Sequence, residues 1–225
     1  SGRGSIACHP DSRSAAAALC PELMVNGVTD PSELTELLEG VDAVVVGPGL
    51  GQTVWAGDMY SVCRDSSLPK VVDADGLNLL AQSPTRLNGS LLTPHPGEAA
   101  RLAGLSTKEV QATRPMIAEN LASKFDATCV LKGAGTLVAK DGQPAMACDR
   151  GHSGMATPGM GDVLSGVIGA LRAQGVSEYE AAGAGVWLHA VAAERAGVAA
   201  GALGMSASDL NPYLRELRSE LSVGE

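Results

Sequence analysis

Chemistry concentrates in the run Gly151-His152-Ser153-Gly154-Met155-Ala156-Thr157-Pro158-Gly159-Met160-Gly161-Asp162-Val163-Leu164-Ser165-Gly166, where a glycine-rich stretch enters an apolar helical pattern with one carboxylate at the junction. Glycines let backbone N–H groups turn inward and approach a ligand closely, and a following helix adds unsatisfied donors and the positive end of its dipole. Such a cradle takes an anion, phosphate above all. A carboxylate there is favoured as a cap, yet it repels phosphate unless a cation or a transferable proton intervenes. Asp162 therefore has two readings. It is either an N-cap, or the acceptor of a hydroxyl proton beside a transferring phosphoryl group whose charge the Gly159, Met160 and Gly161 amides stabilise.

Four other motifs carry polar groups. Gly47-Pro48-Gly49-Leu50-Gly51 follows an apolar run and lets the backbone pass close under a ligand, although glycine turns after strands also serve packing alone. Asp73-Ala74-Asp75-Gly76 offers two carboxylates that point to opposite faces in extended backbone. A cap by Asp75 and a buried hydrogen-bonding role for Asp73 weigh as much as ligand contact, and neither is assigned to catalysis. In Thr93-Pro94-His95-Pro96-Gly97-Glu98, two prolines fix the backbone around His95 and display its ring rigidly, with Glu98 able to cap the next turn. Lys132-Gly133-Ala134-Gly135-Thr136 sets a cation and two glycines after a strand, either as a nucleotide cup or as an exposed hairpin turn. It is not a Walker A loop, which places Gly-Lys-Ser/Thr at a helix start.

The elements that position these motifs are legible from periodicity. Apolar runs at 43–46, 71–72, 91–92 and 129–131 are continuous rather than alternating, the mark of strands buried on both faces in a parallel sheet. Helical patterns are predicted over 31–40, 53–65, 76–82, 97–103, 107–125, 162–174, 178–196 and 206–219. The alternation predicts an α/β fold, a three-layer αβα sandwich around a mostly parallel sheet. Residues 137–139 and 145–147 read as an antiparallel edge hairpin. Ligands of open α/β sheets gather outside the carboxyl ends of strands, where every polar motif sits, so the motifs are expected to converge.

Composition narrows the partners. The 225 residues suffice for one sizeable core, and 28 glycines with 3% aromatics fit tight turns and an aliphatic interior. A net charge of −9 without any basic run argues against nucleic acid or an anionic membrane. Cys8, Cys20, Cys63, Cys129 and Cys148 show neither a disulfide framework nor zinc-ligand spacing, so reduced thiols in the cytoplasm and no protein-held metal are expected. No spanning segment or signal peptide is visible.

Together, GPGLG at 47–51, DADGLNLL at 73–80, TPHPGEAARL at 93–102, KGAGT at 132–136 and GMATPGMGDVLSG at 154–166 resemble the ADP/ATP-dependent NAD(P)H-hydrate dehydratase family of the ribokinase-like superfamily, in order and spacing. The resemblance implies a hydro-lyase that spends ADP or ATP, with magnesium, to return the S epimer of hydrated NADH or NADPH to the reduced cofactor, releasing phosphate and, from ADP, AMP. It implies Asp162 as the base that deprotonates the ring hydroxyl; Gly49, Gly51, His95 and Asp162 on the hydrated dinucleotide; and Lys132, Gly133, Ala134, Gly135, Thr136, Gly159, Met160 and Gly161 on the nucleotide. ADP is the preferred nucleotide, and a homotetramer is expected.

One departure stands out. Family members begin with a further strand and glycine-rich helix, and Ser1-Gly2-Arg3-Gly4 resembles the tail of that helix-to-strand turn. The expectation is a single ribokinase-like domain over 1–225 without its first β-α unit, from a fragment or a longer fusion; some relatives carry an epimerase for the hydrate. A ribokinase-type small-molecule kinase and a non-catalytic nucleotide-binding protein are the rival readings.

Overall fold

The computed structural model describes residues 3–201 and 203–222, so Ser1 and Gly2 of the expected turn lie outside the described residues. Two short parallel strands, β1 (Ser5–Cys8) and β2 (Met24–Gly27), pair in register from Ser5 with Met24 to Cys8 with Gly27. The helix α1 (Arg13–Leu19) connects them. None of the three is predicted by the sequence: the strands mix polar and apolar residues, and the alanine run of α1 has helical propensity but no apolar stripe. Trp55 ties this unit to the body by donating from Nε1 to the Val28 carbonyl at 3.0 Å.

The main body follows as α2 (Pro31–Leu38), β3 (Val44–Val46), α3 (Val54–Asp65), β4 (Lys70–Val72), α4 (Ala74–Gln82), β5 (Ser90–Leu92), α5 (Pro96–Ala103), α6 (Thr107–Ala112), α7 (Arg114–Phe125), β6 (Ala127–Leu131), β7 (Leu137–Ala139), β8 (Met146–Ala147), α8 (Met160–Arg172), α9 (Glu178–Ala200) and α10 (Leu210–Ser222). The expected helix over 107–125 is two. Thr113 leaves helical geometry at φ −137°, ψ 38°, because Pro115 has no N–H to continue the ladder and restarts a helix instead.

Strands β3 to β8 form one sheet in the order β3-β4-β5-β6-β7-β8. The first four are parallel, and β7 and β8 run antiparallel as the expected hairpin. Successive strand residues serve opposite faces. Val72, Leu92 and Leu131 face one core with α3, α4, α5 and α7, whereas Val71, Leu91 and Val130 face another with α8 and α9. This is the three-layer αβα sandwich. Val71, Leu91 and Val130 are fully buried, and each contributes about 1.5–3 kcal/mol by leaving water. The small residues of α9 serve packing within the chain: a Cβ on Gly185 would stand 2.6 Å from Ile168 Cγ1 on α8.

Candidate active site

The loops after β3, β4, β5 and β6 converge, as the alternation requires. The first two meet backbone to backbone. Gly47 has φ +127°, and a Cβ there would lie 1.8 Å from the Asp73 carbonyl oxygen, so only glycine lets the 47–51 turn pass over the start of α4. The Gly51 amide then donates to Asp75 Oδ2 at 2.9 Å.

Of the two carboxylates of 73–76, Asp73 has the buried hydrogen-bonding role that the sequence suggests and takes the cap expected of Asp75 as well. The helix starts at Ala74, earlier than expected, so Asp73 and not Asp75 is the N-cap, accepting from the Ala74 amide at 2.9 Å. Asp73 is also the most enclosed acid of the site, 1% exposed. Its Oδ1 accepts from Lys132 Nζ at 2.7 Å, its Oδ2 accepts from Ser165 Oγ at 2.6 Å, and the Ser165 hydroxyl lies 3.3 Å from Thr93 Oγ1. A buried carboxylate persists only when paired and hydrogen-bonded in this way.

His95 is the N-cap of α5. Its Nδ1 accepts from the Gly97 amide at 3.0 Å while Glu98 Oε2 accepts from the His95 amide at 2.7 Å, a reciprocal capping box. The ring stays half exposed, with Nε2 3.3 Å from Glu98 Oε1. Lys132 reaches Asp73 rather than solvent and lies 3.8 Å from Glu98 as well. Gly133, Ala134 and Gly135 are exposed, so the 132–136 loop is at once a hairpin turn and an open cup. Arg114, unsuspected from sequence, pins that loop: its guanidinium donates to the carbonyls of Leu131 at 3.1 Å, Lys132 at 3.3 Å and Gly135 at 3.1 Å.

The glycine-rich stretch ends at Gly159, φ +88°, which caps α8 without a side chain. Asp162 is therefore the third residue of the helix and not its cap. Met160 turns its side chain into the core, and its amide is directed back to the Thr157 carbonyl at 3.4 Å. A Cβ on Gly161 would lie 3.1 Å from Lys132 Nζ and 3.8 Å from Asp73 Oδ2, which sets the phosphate-type donors directly over the Lys132–Asp73 pair. Asp162 is exposed and has no hydrogen bond among the described residues. Partial desolvation, then the Asp73 carboxylate, raise its pKa above the ordinary value, while Lys132 opposes them. Beneath the loop, His189 is buried with Nε2 unpartnered, and desolvation pushes its pKa down to about 4 against a hydrogen bond with the Met160 backbone. It backs the loop as a neutral imidazole.

A fixed amide arc, a lysine and an ionisable carboxylate in one place suit phosphoryl transfer to a hydroxyl. The sequence profile of NAD(P)H-hydrate dehydratases matches residues 1–216. The chain belongs to this family. Within it, the chain is 46% identical over 213 residues to the bifunctional NAD(P)H-hydrate repair enzyme Nnr of Coxiella burnetii, covering 95% of this chain and 44% of that protein. It is 41% identical over 214 residues to the ADP-dependent (S)-NAD(P)H-hydrate dehydratase of Neisseria meningitidis serogroup B, covering 90% and 70%. It superposes on the ADP/ATP-dependent NAD(P)H-hydrate dehydratase of Bacillus subtilis, co-crystallised with ATP/Mg2+ and soaked with CoA, with a TM-score of 0.83 and 25% identity, covering 97% and 81%. The chain spans less than half the length of the bifunctional relatives from Coxiella burnetii, Escherichia coli and Vibrio cholerae.

Proposed function

We propose that the chain catalyses the ADP-dependent dehydration of the S epimer of hydrated NADH or NADPH, a metabolite-repair reaction. The observation that carries this reading is Asp162: a carboxylate with no hydrogen-bond partner, raised in pKa, at the mouth of a glycine amide arc. Its relatives' names give the reaction class. Asp162 takes the proton of the ring hydroxyl, whose oxygen attacks the terminal phosphorus of ADP as the bond to AMP breaks. The ring nitrogen's lone pair then expels inorganic phosphate, and a proton leaves the neighbouring carbon to restore the double bond. Hydroxide is a poor leaving group and phosphate a good one, which is why the nucleotide is spent.

Gly159, Met160 and Gly161 present the arc to the transferring phosphoryl group, Lys132 to Thr136 hold the nucleotide, and Gly49, Gly51 and His95 line the hydrated dinucleotide. The short Met160 turn leaves the Gly159 and Gly161 amides as the better donors. Magnesium enters with the nucleotide in this reading. Asp73 is already taken by Lys132 and Ser165, and among the described residues no three His, Cys, Asp or Glu side chains converge to hold a metal; phosphate oxygens supply most ligands of such an ion. Cytoplasmic homotetramers, beside a fused or separate epimerase, complete the proposal.

The test is incubation with hydrated NADH, ADP and magnesium. Return of dihydronicotinamide absorbance with release of inorganic phosphate and AMP is the expected result; a stable phosphorylated product indicates a kinase, and saturable ADP binding without turnover a nucleotide-binding protein.

A further inference from the structure

Beside the Gly47–Gly51 turn lies an open surface cavity of about 290 Å³, lined by the polar side chains of Gln52, Asn78, Gln82 and Arg101 and by Ala81. Its residues belong to the elements that build the site. Gln52 follows Gly51, Asn78 and Gln82 lie on α4 one and two turns beyond Asp75, and Arg101 lies on α5 beyond His95. Hydrogen bonds join cavity and site. Asp75 accepts from the Gly51 amide at 2.9 Å, from Asn78 Nδ2 at 3.2 Å and from Gln52 Nε2 at 3.5 Å, and Asn78 Oδ1 accepts from Arg101 Nη1 at 2.7 Å. Gln82 Nε2 donates to Gln52 Oε1 at 2.9 Å.

The charges in this cluster are treated unequally. Asp75 is taken up by three donors, whereas exposed Arg101 gives a single hydrogen bond to a neutral amide, and no carboxylate pairs with it among the described residues. A guanidinium has five N–H groups in a planar fork suited to two oxygens of one phosphate. In a chain of net charge −9, a cation without a carboxylate partner is where a dianion is tolerated best.

We infer that this cavity is a phosphomonoester subsite, with Arg101 as its cation, and that it selects the hydrated dinucleotide bearing a phosphate on its ribose, hydrated NADPH, over hydrated NADH. The inference rests on the proposed function for the nature of the substrate. A dinucleotide whose ring lies at Asp162 extends past His95 and Gly51 toward the cavity, where the amides of Gln52 and Gln82 stand beside the guanidinium. Without the extra phosphate, Arg101 stays hydrated, so hydrated NADH pays no penalty and gains nothing.

Calorimetric titration of hydrated NADPH and hydrated NADH, in the absence of nucleotide, into the parent protein, Arg101→Gln and Arg101→Lys tests this. The parent is expected to bind the phosphorylated hydrate about tenfold more tightly, Arg101→Gln to bring the ratio of dissociation constants to about one, and Arg101→Lys to retain part of it. Equal affinities in the parent, or a ratio that Arg101→Gln does not move, overturn the subsite. Dehydratase activity is read separately, from phosphate release after adding ADP and magnesium, so equal affinities in a parent that turns over both hydrates reject the subsite alone. A parent that binds neither hydrate rejects both.

Discussion

The floor and the rim of the site are built from the same residue types and treated in opposite ways. In the floor, Asp73 is 1% exposed and engages Lys132, Ser165 and the Ala74 amide. At the rim, Asp162 sits in the first turn of α8, exposed and without a hydrogen bond. A buried carboxylate held by three donors, one of them a lysine, is fitted to hold its neighbours in place. One left open, and raised in pKa by its surroundings, can take a proton. The contrast supports the proposed division, with Asp73 in positioning and Asp162 in chemistry, although both lie beside the same lysine.

The largest expected effect comes from the rim. Asp162→Asn should lower turnover by ~10²–10⁴-fold, the usual contribution of a general base. Thermal denaturation should show no loss of stability: a carboxyl whose folded pKa is raised stabilises the fold only below its unfolded pKa and loses that contribution as pH rises through the folded value. A turnover rate within a few-fold of the parent would break the comparison. The floor should answer in the other currency. Asp73→Ala strands Lys132 and is expected to cost about 3–5 kcal/mol in chemical denaturation; an unchanged midpoint would show that the pair is dispensable to the fold.

Arg114→Gln frees the 132–135 backbone without touching Asp162. We expect the KM for ADP to rise about tenfold with a smaller change in kcat, and a fall confined to kcat would place Arg114 elsewhere in the reaction. The smallest effect is a displacement along the pH axis. Because Asp162 must be ionised to act and its pKa is raised, kcat should be lost on acidification at a higher pH than an ordinary carboxylate gives. Lys132→Met removes the opposing charge and should carry that acid limb higher still; a shift toward lower pH would reverse the assigned electrostatics.

Strand ends and their loops were legible because a buried parallel strand writes itself as an uninterrupted apolar run, and each run stopped at a polar motif. The resemblance carried by TPHPGE and GMGDVLSG likewise led to the family that the profile match shows. The buried hydrogen-bonding role of Asp73 was legible, but the cap fell to Asp73 and not Asp75 because a helix start can shift by a residue or two without altering the apolar pattern. Arg114, His189 and Arg101 were invisible for a different reason. Each acts through groups distant in the chain, as when Arg114 meets Gly135 or Arg101 meets Asn78, and no local spacing encodes such meetings. β1, β2 and α1 escaped because they bury little and so need no periodicity.

The strand order β3-β4-β5-β6-β7-β8 follows the chain, and this bears on synthesis. A chain emerging from its amino end can add each strand beside the one just made, without waiting for a distant partner. The exception is Asp73, whose contacts lie 59 residues on at Lys132 and 92 residues on at Ser165. The scaffold is thus complete, with Lys132 already beside Asp73, while the acid at its centre still lacks Ser165, and the rim arrives last with α8. A nascent chain stalled before that helix would hold a nearly finished sheet in which Asp73 has its lysine but Oδ2 lacks its hydroxyl donor, so closure of Ser165 onto Asp73 is the step that joins the early and late halves of the chain at the site.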